Sequence, residues 1–267
     1  MDFSKMPDRP FTGRKVTDNT YVITGSGCDS YLLMGDECAI MIDSGMSKLN
    51  LKEFCQEFTD LPIIGVINTH GHLDHTGGNG WFGKAFMHPY AAEEAKKPFE
   101  NIPEFPTDYE IETLEEGRMI NLGSRELEIL YIGAHSLGSI AILDRTNRIL
   151  FTGDELDPGQ VLCNMSGEKV PCQSVENHQK NMRKLKARYD EYDIICPAHN
   201  GTPIPKSYVN DFIIADQMIM DGIEGSEDIS SPTLPFPAPE GCRRLHYKFA
   251  HVCYNVNSIF EKQVAKE

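Results

Sequence analysis

Three histidines and one aspartate crowd into the six-residue segment HGHLDH, which begins at His70. His70 and His72 are two residues apart, so both imidazoles can reach one point on an extended or turning segment. Asp74 and His75 follow directly and can face a second point nearby. Imidazole and carboxylate groups are common metal ligands, and one ion takes three or four of them. The motif therefore predicts two incomplete metal sites that need ligands from elsewhere in the chain.

Three later segments offer the missing ligands, each at the end of a predicted strand and close to a glycine. YIGAHSLGS contains His135, FTGDELD contains Asp154, and CPAHNG contains His199. Glycine permits tight turns and close approach of the backbone, which suits a crowded site. A carboxylate has two oxygens, so Asp154 is the natural bridge between two ions. The candidate ligands are then seven: His70, His72, Asp74, His75, His135, Asp154 and His199.

The elements that would position these residues alternate between strands and helices in both halves of the chain. A buried-looking strand at 62–69 runs directly into the HGHLDH motif. Apolar residues at helical spacing predict helices at 48–58 and 207–223. Ser174 is a candidate N-cap for a helix at 174–189. This alternation predicts two mixed sheets packed together with helices outside, and polar clusters at the strand ends.

Charge and composition exclude several classes of partner and location. The chain has 267 residues and a formal net charge of -15. An acidic surface repels phosphate backbones and anionic lipids, so we expect neither nucleic acid nor a membrane as partner. The first residues lack the apolar core of a secretory signal, and no apolar run approaches the length of a transmembrane helix. We therefore expect a cytoplasmic protein whose eight cysteines are free thiols.

The ordered set of motifs resembles the metallo-β-lactamase superfamily. The match extends from about Asn19 to Gly201 and includes MIDSG at 41–45. The resemblance implies a four-layer αββα sandwich, with two mixed β-sheets flanked by helices. It also implies a single domain over 1–267, with a C-terminal helix, a proline-rich loop and a strand at about 204–267.

The resemblance further implies two divalent metal ions, with zinc as the default and iron or manganese as the other options. The two implied ligand sets are His70, His72 and His135 for one ion, and Asp74, His75 and His199 for the other. Asp154 would bridge the ions, and Asp43 is similar to a family aspartate that holds a ligand in place. The full set resembles the dinuclear sites of glyoxalase II, lactonases and ribonuclease Z.

These features predict a metal-dependent hydrolase in which a metal-bridging hydroxide cleaves a small ester, thioester or lactone. Asp74 would bind metal and also orient the hydroxide or relay its proton. One alternative is a phosphodiesterase for a small nucleotide, and another is an oxidoreductase similar to the mono-iron persulfide dioxygenases. The loops 98–112 and 155–173 are expected to shape the pocket for a small-molecule substrate. Asp157 stands where some lactonases of the superfamily have tyrosine.

The remaining residues of chemical interest receive structural interpretations. We expect the other four histidines to be structural or surface residues: His88, His178, His246 and His251. Trp81 and Phe82 follow the metal motif and either line the pocket or pack in the core. The helix at 207–223 and the final strand at 244–256 either form a homodimer contact or cover the sheet.

Overall fold

The structure, a computed structural model, divides the chain into two units. Of the residues that the structure describes, those up to 131 together with 140–151 form the first unit, and 132–139 together with those after 151 form the second. Each unit carries part of the predicted ligand set. The residues that the structure describes are 9–168, 170–223, 226–229 and 238–261.

A seven-stranded mixed sheet forms most of the first unit, with its strands in chain order. The strands are β1 (Thr12–Thr17), β2 (Thr20–Thr24), β3 (Ser30–Met34), β4 (Ala39–Ile42), β5 (Ile63–Ile67), β6 (Lys84–Met87) and β7 (Glu110–Thr113). β1 to β4 pair antiparallel, whereas β4 to β7 pair parallel. β4 is buried along its whole length, as expected for a strand covered on both faces.

Short helices lie between the parallel strands of this sheet. They are α1 (Leu51–Cys55), α2 (Leu73–Thr76) and α3 (Pro89–Glu94). α1 is shorter than the helix predicted at 48–58. The helix begins at Leu51 because the side chain of Asn50 caps it, accepting a hydrogen bond from the Glu53 amide. It ends at Cys55, and turn residues follow.

Four antiparallel strands follow in the chain, β8 (Met119–Asn121), β9 (Glu126–Tyr131), β10 (Ile140–Asp144) and β11 (Ile149–Gly153). A fully buried ion pair anchors them within the first unit. The Arg125 guanidinium donates two hydrogen bonds to Asp144 Oδ2, at 2.9 and 2.6 Å. It also donates to the Thr20 hydroxyl at 2.7 Å and the Asn19 carbonyl at 2.6 Å. One arginine thus donates to acceptors in the seven-stranded sheet and in the group of strands β8 to β11.

The second unit combines two longer helices with short strands. Its elements are β12 (Val161–Cys163), α4 (Val175–Ala187), β13 (Ile194–Pro197), β14 (Ile204–Pro205), α5 (Tyr208–Met220), β15 (Glu227–Asp228), β16 (Cys242–Tyr247) and β17 (Ala250–Asn255). The predicted helices at 174–189 and 207–223 are confirmed as α4 and α5. Ser174 caps α4 as expected, because its hydroxyl accepts a hydrogen bond from the Asn177 amide at 3.0 Å.

The single strand predicted at 244–256 is wrong, because the chain forms a hairpin there from β16 and β17. The hairpin turns through Lys248, which has a φ of 50°. Lysine is an uncommon residue in this conformation, so the sequence carries no turn signal. β17 also pairs in parallel with β12, which lies inside the segment 155–173 that was predicted as a loop. The second unit therefore holds a small four-stranded sheet, in the order β12, β17, β16, β15.

The mixed α/β class predicted from the sequence is confirmed. Parallel and antiparallel pairings coexist within the first unit, and helices follow strands through both units. Over the part of the chain that the structure describes, no helix has the length and apolarity needed to cross a membrane.

Candidate metal centre

The HGHLDH motif lies in the first unit, between the end of β5 and the short helix α2. His72 is the N-cap residue of α2, yet its side chain makes no capping hydrogen bond, so the ring is available for other contacts. His70 Nε2 and His72 Nδ1 lie 2.9 Å apart. The ring centroids of His70 and His75 are separated by 4.1 Å. The motif therefore brings imidazole nitrogens from two neighbouring histidines to one point, as the spacing predicted.

Asp43 fixes the orientation of His75 from the end of β4. Its Oδ2 lies 2.9 Å from His75 Nδ1 and accepts a hydrogen bond from the Thr69 hydroxyl at 2.8 Å. Its Oδ1 accepts a hydrogen bond from the Thr69 amide at 2.8 Å. Because an ionised carboxylate only accepts, His75 Nδ1 carries the proton and Nε2 keeps the lone pair. That Nε2 faces Asp74, with 3.8 Å to Oδ2. Such a partner fixes the tautomer that a metal ligand needs.

A buried polar network holds the same segment and was not foreseen from the sequence. The Asn68 side-chain amide donates to the His75 carbonyl at 2.8 Å, and the Asn79 amide donates to Asn68 Oδ1 at 2.8 Å. Ser44 donates to Asn79 Oδ1 at 2.7 Å. A Cβ on Gly78 would approach the Ser44 carbonyl oxygen to 2.5 Å, which explains a glycine there. Asparagines beside a motif are common in sequences. Only the fold therefore shows that Asn68 and Asn79 hold the backbone of the motif in place.

Cys28 joins Asp43 and His75 in a cluster whose candidate ligand atoms all lie within 4.8 Å of one another. Burial raises the pKa of the Cys28 thiol well above its ordinary value. A metal binds the thiolate and not the neutral thiol. Because burial favours the neutral thiol, Cys28 is a poor metal ligand here. No sequence signal connects this cysteine with the site, because it lies far from the motif along the chain.

The second unit contributes the other three predicted ligands, and these lie together. Asp154 Oδ2 is 3.7 Å from His135 Nε2, and Asp154 Oδ1 is 3.4 Å from His199 Nε2. The two oxygens of one carboxylate thus face two different imidazoles. This is the arrangement that a bridging carboxylate requires. His135 Nδ1 lies 3.0 Å from the Leu162 carbonyl oxygen, so Nδ1 donates and Nε2 is left as the ligand atom.

Glu155, which sequence reasoning missed, supports the backbone around His135. Its Oε1 accepts hydrogen bonds from the amides of Ala134 at 2.8 Å and His135 at 2.7 Å. The side chain is fully buried, and this burial raises the pKa of the Glu155 carboxyl. No sequence signal marks the residue except its position directly after Asp154.

His178 is buried in the second unit, where it contacts Glu155. Of the two predicted positions, structural or surface, it takes the structural one. Its Nδ1 lies 2.8 Å from Asp216 Oδ2, and its Nε2 lies 2.8 Å from the Glu155 carbonyl oxygen. Burial lowers the pKa of His178, but Asp216 and Glu155 together outweigh burial and raise that pKa to about 9. Both ring nitrogens therefore donate, and the imidazolium ties α4 and α5 to the segment that carries Asp154.

The other residues that the sequence singled out take structural positions. His246 and His251 stack on the C-terminal hairpin with centroids 3.9 Å apart, and His88 caps α3. Phe82 is buried in the core of the first unit, and Trp81 packs against that core.

A cavity of about 280 Å³ opens beside the three ligands of the second unit. Asp157, Gln160 and Leu162 line it, and all three belong to the segment 155–173 that was expected to shape a pocket. Burial raises the pKa of the Asp157 carboxyl to about 6. The full lining is His135, Asp154, Asp157, Gln160, Leu162, His199 and Asn200.

Each unit thus offers donors that suit a divalent ion. The donors are imidazole nitrogens and carboxylate oxygens, which fit zinc, iron or manganese. Two of the histidines, His75 and His135, are held by a partner on the opposite ring nitrogen.

A family model described as the metallo-beta-lactamase superfamily matches residues 23–199 of the chain. The chain belongs to this superfamily. The matched stretch includes every predicted ligand from His70 to His199.

Several relatives of the chain are named as a thioesterase or as a hydroxyacylglutathione hydrolase. The human protein "Acyl-coenzyme A thioesterase MBLAC2" is 26% identical over 173 residues, which cover 52% of this chain and 62% of that protein. "Hydroxyacylglutathione hydrolase GloC" of Haemophilus influenzae is 28% identical over 135 residues, which cover 46% of this chain and 63% of that protein. The chain thus spans less than two thirds of the length of either relative.

Solved metallo-beta-lactamase structures share the fold. The DIM-1 metallo-beta-lactamase matches with a TM-score of 0.62 at 17% identity, over 77% of this chain and 97% of that one. The metallo-beta-lactamase from Pontibacter korlensis matches with a TM-score of 0.59 at 18% identity, over 77% and 98%. At this identity the likeness concerns the fold alone, and it confirms the fold class expected from the motifs.

Proposed function

We propose that this protein is a metal-dependent hydrolase that cleaves small thioesters. The observation that carries the proposal is the retention of every family ligand in order, in a chain whose named relatives hydrolyse thioesters of two different thiols. Esters and lactones share the same acyl carbon chemistry and are secondary substrates in this proposal.

The metal ligands in this proposal are those that the resemblance implies. These residues would hold divalent metal, with zinc as the default: His70, His72, Asp74, His75, His135, Asp154 and His199. Divalent metal bound by these residues would supply a nucleophilic hydroxide near neutral pH and polarisation of the substrate carbonyl.

The chain's own residues prepare these ligands before any substrate arrives. Asp43 holds the proton on His75 Nδ1, and the Leu162 carbonyl does the same for His135 Nδ1. Glu155 holds the backbone of His135. Asp74, at the N-terminal turn of α2, is placed to orient the attacking oxygen or to take its proton. A ligand shell that is already ordered reacts without a reorganisation cost.

The leaving group favours thioesters over esters. A thiol has a pKa of about 8.5, so it leaves as the thiolate near neutral pH without a proton donor. An alcohol, whose pKa is far higher, needs a general acid. Three of the residues that line the cavity beside Asp154, namely His135, Asp154 and His199, are metal ligands in this proposal, and Asp157 accepts hydrogen bonds there. A thioester needs no proton donor from this wall.

A substrate panel tests the proposal. Purified protein, with its metal content measured, is assayed with acetyl-coenzyme A, S-lactoylglutathione, p-nitrophenyl acetate and bis-p-nitrophenyl phosphate. We expect the highest kcat/KM with a thioester and loss of at least about a hundredfold in Asp154→Ala. Preference for the phosphodiester would replace the thioesterase by a phosphodiesterase. One iron per chain, with oxygen consumed in the presence of a persulfide, would replace hydrolysis by oxidation.

A further inference from the structure

Asp157 is a buried carboxylate on the wall of the cavity beside Asp154, only 2% exposed. Its Oδ1 accepts two hydrogen bonds, from the Asn200 side-chain amide at 2.7 Å and the Gly159 amide at 2.6 Å. Its Oδ2 is also buried and has no hydrogen-bond partner among the residues that the structure describes. One oxygen is thus fixed by the protein, while the other is left to accept.

The surrounding loop is built to hold this carboxylate in one orientation. A Cβ added to Gly159 would collide with the Asn200 side chain and lie 2.9 Å from Asp157 Oδ1. Asn200 itself has a φ of 60°, a left-handed backbone conformation in which asparagine is among the better-tolerated residues. The close contact between Gly159 and Asn200 fixes Oδ1 and therefore also the direction of Oδ2.

A buried carboxylate oxygen without a donor is unfavourable, because it has lost water and gained nothing in exchange. Such groups persist in sites where a ligand supplies the missing hydrogen bond. Asp157 is not one of the predicted metal ligands, so metal binding does not account for it.

We propose that Asp157 Oδ2 accepts a hydrogen bond from an N–H or O–H donor of the substrate and so determines specificity. The inference rests on the proposed function for the identity of the substrate. Two parts of a thioester could supply the donor. Coenzyme A and glutathione both carry an amide N–H on the thiol side, close to the sulfur. A 2-hydroxyacyl group carries a hydroxyl on the acyl side.

Paired substrates separate these sources. S-acetyl-N-acetylcysteamine has an amide N–H near the sulfur, and its N-methyl analogue lacks only that donor. S-lactoyl and S-propionyl esters of the same thiol differ only in the hydroxyl. A hydrogen bond to a charged acceptor gives a preference in kcat/KM of about tenfold or more for the substrate that carries the donor. This comparison uses the unchanged protein and depends on no variant being folded.

Asp157→Asn tests the residue itself. The variant keeps Oδ1 as an acceptor for Asn200 and Gly159, but it places an N–H₂ group where Oδ2 lies. We expect the ratio of kcat/KM values within the affected pair to fall to about one. The kcat/KM of the substrate that lacks the donor, the N-methyl or the propionyl compound, should change little. Asp193→Asn makes the same charge change at an exposed residue after α4 and should keep the wild-type ratios. If the variant loses the preference for S-acetyl-N-acetylcysteamine over its N-methyl analogue, the donor is the amide of the thiol part. If it loses the preference for the S-lactoyl over the S-propionyl ester, the donor is the hydroxyl of the acyl part.

The inference is overturned if both ratios are near one in the wild type, or if Asp157→Asn leaves them unchanged. A binding arm separates this failure from failure of the proposed function. S-propyl-N-acetylcysteamine, a thioether that cannot be hydrolysed, and its N-methyl analogue are titrated calorimetrically, together with their 2-hydroxypropyl counterparts. A donor preference in binding that Asp157→Asn abolishes would support Asp157 even if no thioester were hydrolysed. Absence of any preference in both binding and turnover overturns the inference.

Discussion

Asp43 lies outside the proposed ligand set, yet it orients His75, which is a proposed ligand. It accepts three hydrogen bonds, from the Thr69 amide, the Thr69 hydroxyl and His75 Nδ1, and so uses both oxygens. Its φ of 53° is uncommon outside glycine and asparagine. A residue in such a conformation is held there by its contacts, and here those contacts orient His75.

We predict that Asp43→Asn weakens metal binding at His75. The amide is a poorer acceptor for His75 Nδ1–H and can turn an N–H₂ group toward the ring, so zinc affinity should fall by about ten- to a hundredfold. Competition with a chromophoric chelator measures the change. Asp108→Asn, an exposed carboxylate, is the control and should bind zinc as the wild type does. Equal affinity in the two variants would show that Asp43 does not tune the ligand.

His178 makes the folding stability depend on pH. Its pKa is raised to about 9 in the folded protein, against about 6.5 in the unfolded chain. The folded state therefore holds an extra proton between these values. The stabilisation is complete below pH 6.5 and is lost as pH rises through 9, a change on the order of 3 kcal/mol.

Urea unfolding at several pH values between 6 and 9.5 measures this effect. The free energy of unfolding of the wild type should fall across the range, and His178→Asn should remove most of the slope. His246→Asn, at an exposed histidine of the hairpin, should keep the wild-type slope. A slope that survives in His178→Asn would mean that another group titrates.

At the residue scale the candidate ligands could be located from the sequence, whereas the residues that support them could not. His70 to His75 form a local motif, and His135, Asp154 and His199 each follow an apolar run with glycine nearby. Glu155 carries no comparable mark, and Asp157 is marked only by its position three residues after Asp154. Their functions depend on contacts with Ala134 and Asn200, which are far away in the chain, and on burial that only the fold creates.

At the scale of elements, the Arg125–Asp144 pair is the strongest single tie within the first unit. Both side chains are fully buried, and the guanidinium donates to strands β2 and β10 at once. We predict that Arg125→Ala destabilises the protein by about 3–5 kcal/mol, because it leaves the Asp144 carboxylate buried without its partner. Arg118→Ala removes an exposed ion pair with Glu112 and should cost at most about 1 kcal/mol. Similar losses of unfolding free energy in both variants would contradict this account.

The elements themselves were predictable where the signal was local. The apolar run before the HGHLDH motif became β5, and Ser174 capped α4 through the Asn177 amide. The C-terminal hairpin was missed because its turn depends on Lys248 with a positive φ. β12 was missed because it is a three-residue strand whose partner, β17, lies about ninety residues later in the chain. Strands of this length are specified by their partners and not by their own sequence.

At the scale of the whole molecule, the net charge of -15 bears on which thioesters can approach. An acidic protein repels a substrate with several phosphates and leaves a neutral substrate unaffected. We predict that kcat/KM for acetyl-coenzyme A rises a few fold as ionic strength increases from about 0.02 to 0.2 M, because salt screens the repulsion. The value for S-acetyl-N-acetylcysteamine should stay constant. A fall with salt for acetyl-coenzyme A would indicate attraction by a local basic surface instead.

In the proposed function, thioester hydrolysis depends on two metal ions held by the family ligand set. The most direct test is to strip the protein with a chelator and titrate it with zinc while following hydrolysis of S-acetyl-N-acetylcysteamine and bound zinc by plasma mass spectrometry. We predict that activity is absent without metal, rises to a plateau at two equivalents and is lost in Asp154→Ala, which should also bind less zinc. Full activity in the stripped protein, or a plateau at one equivalent that Asp154→Ala leaves unchanged, would contradict the account.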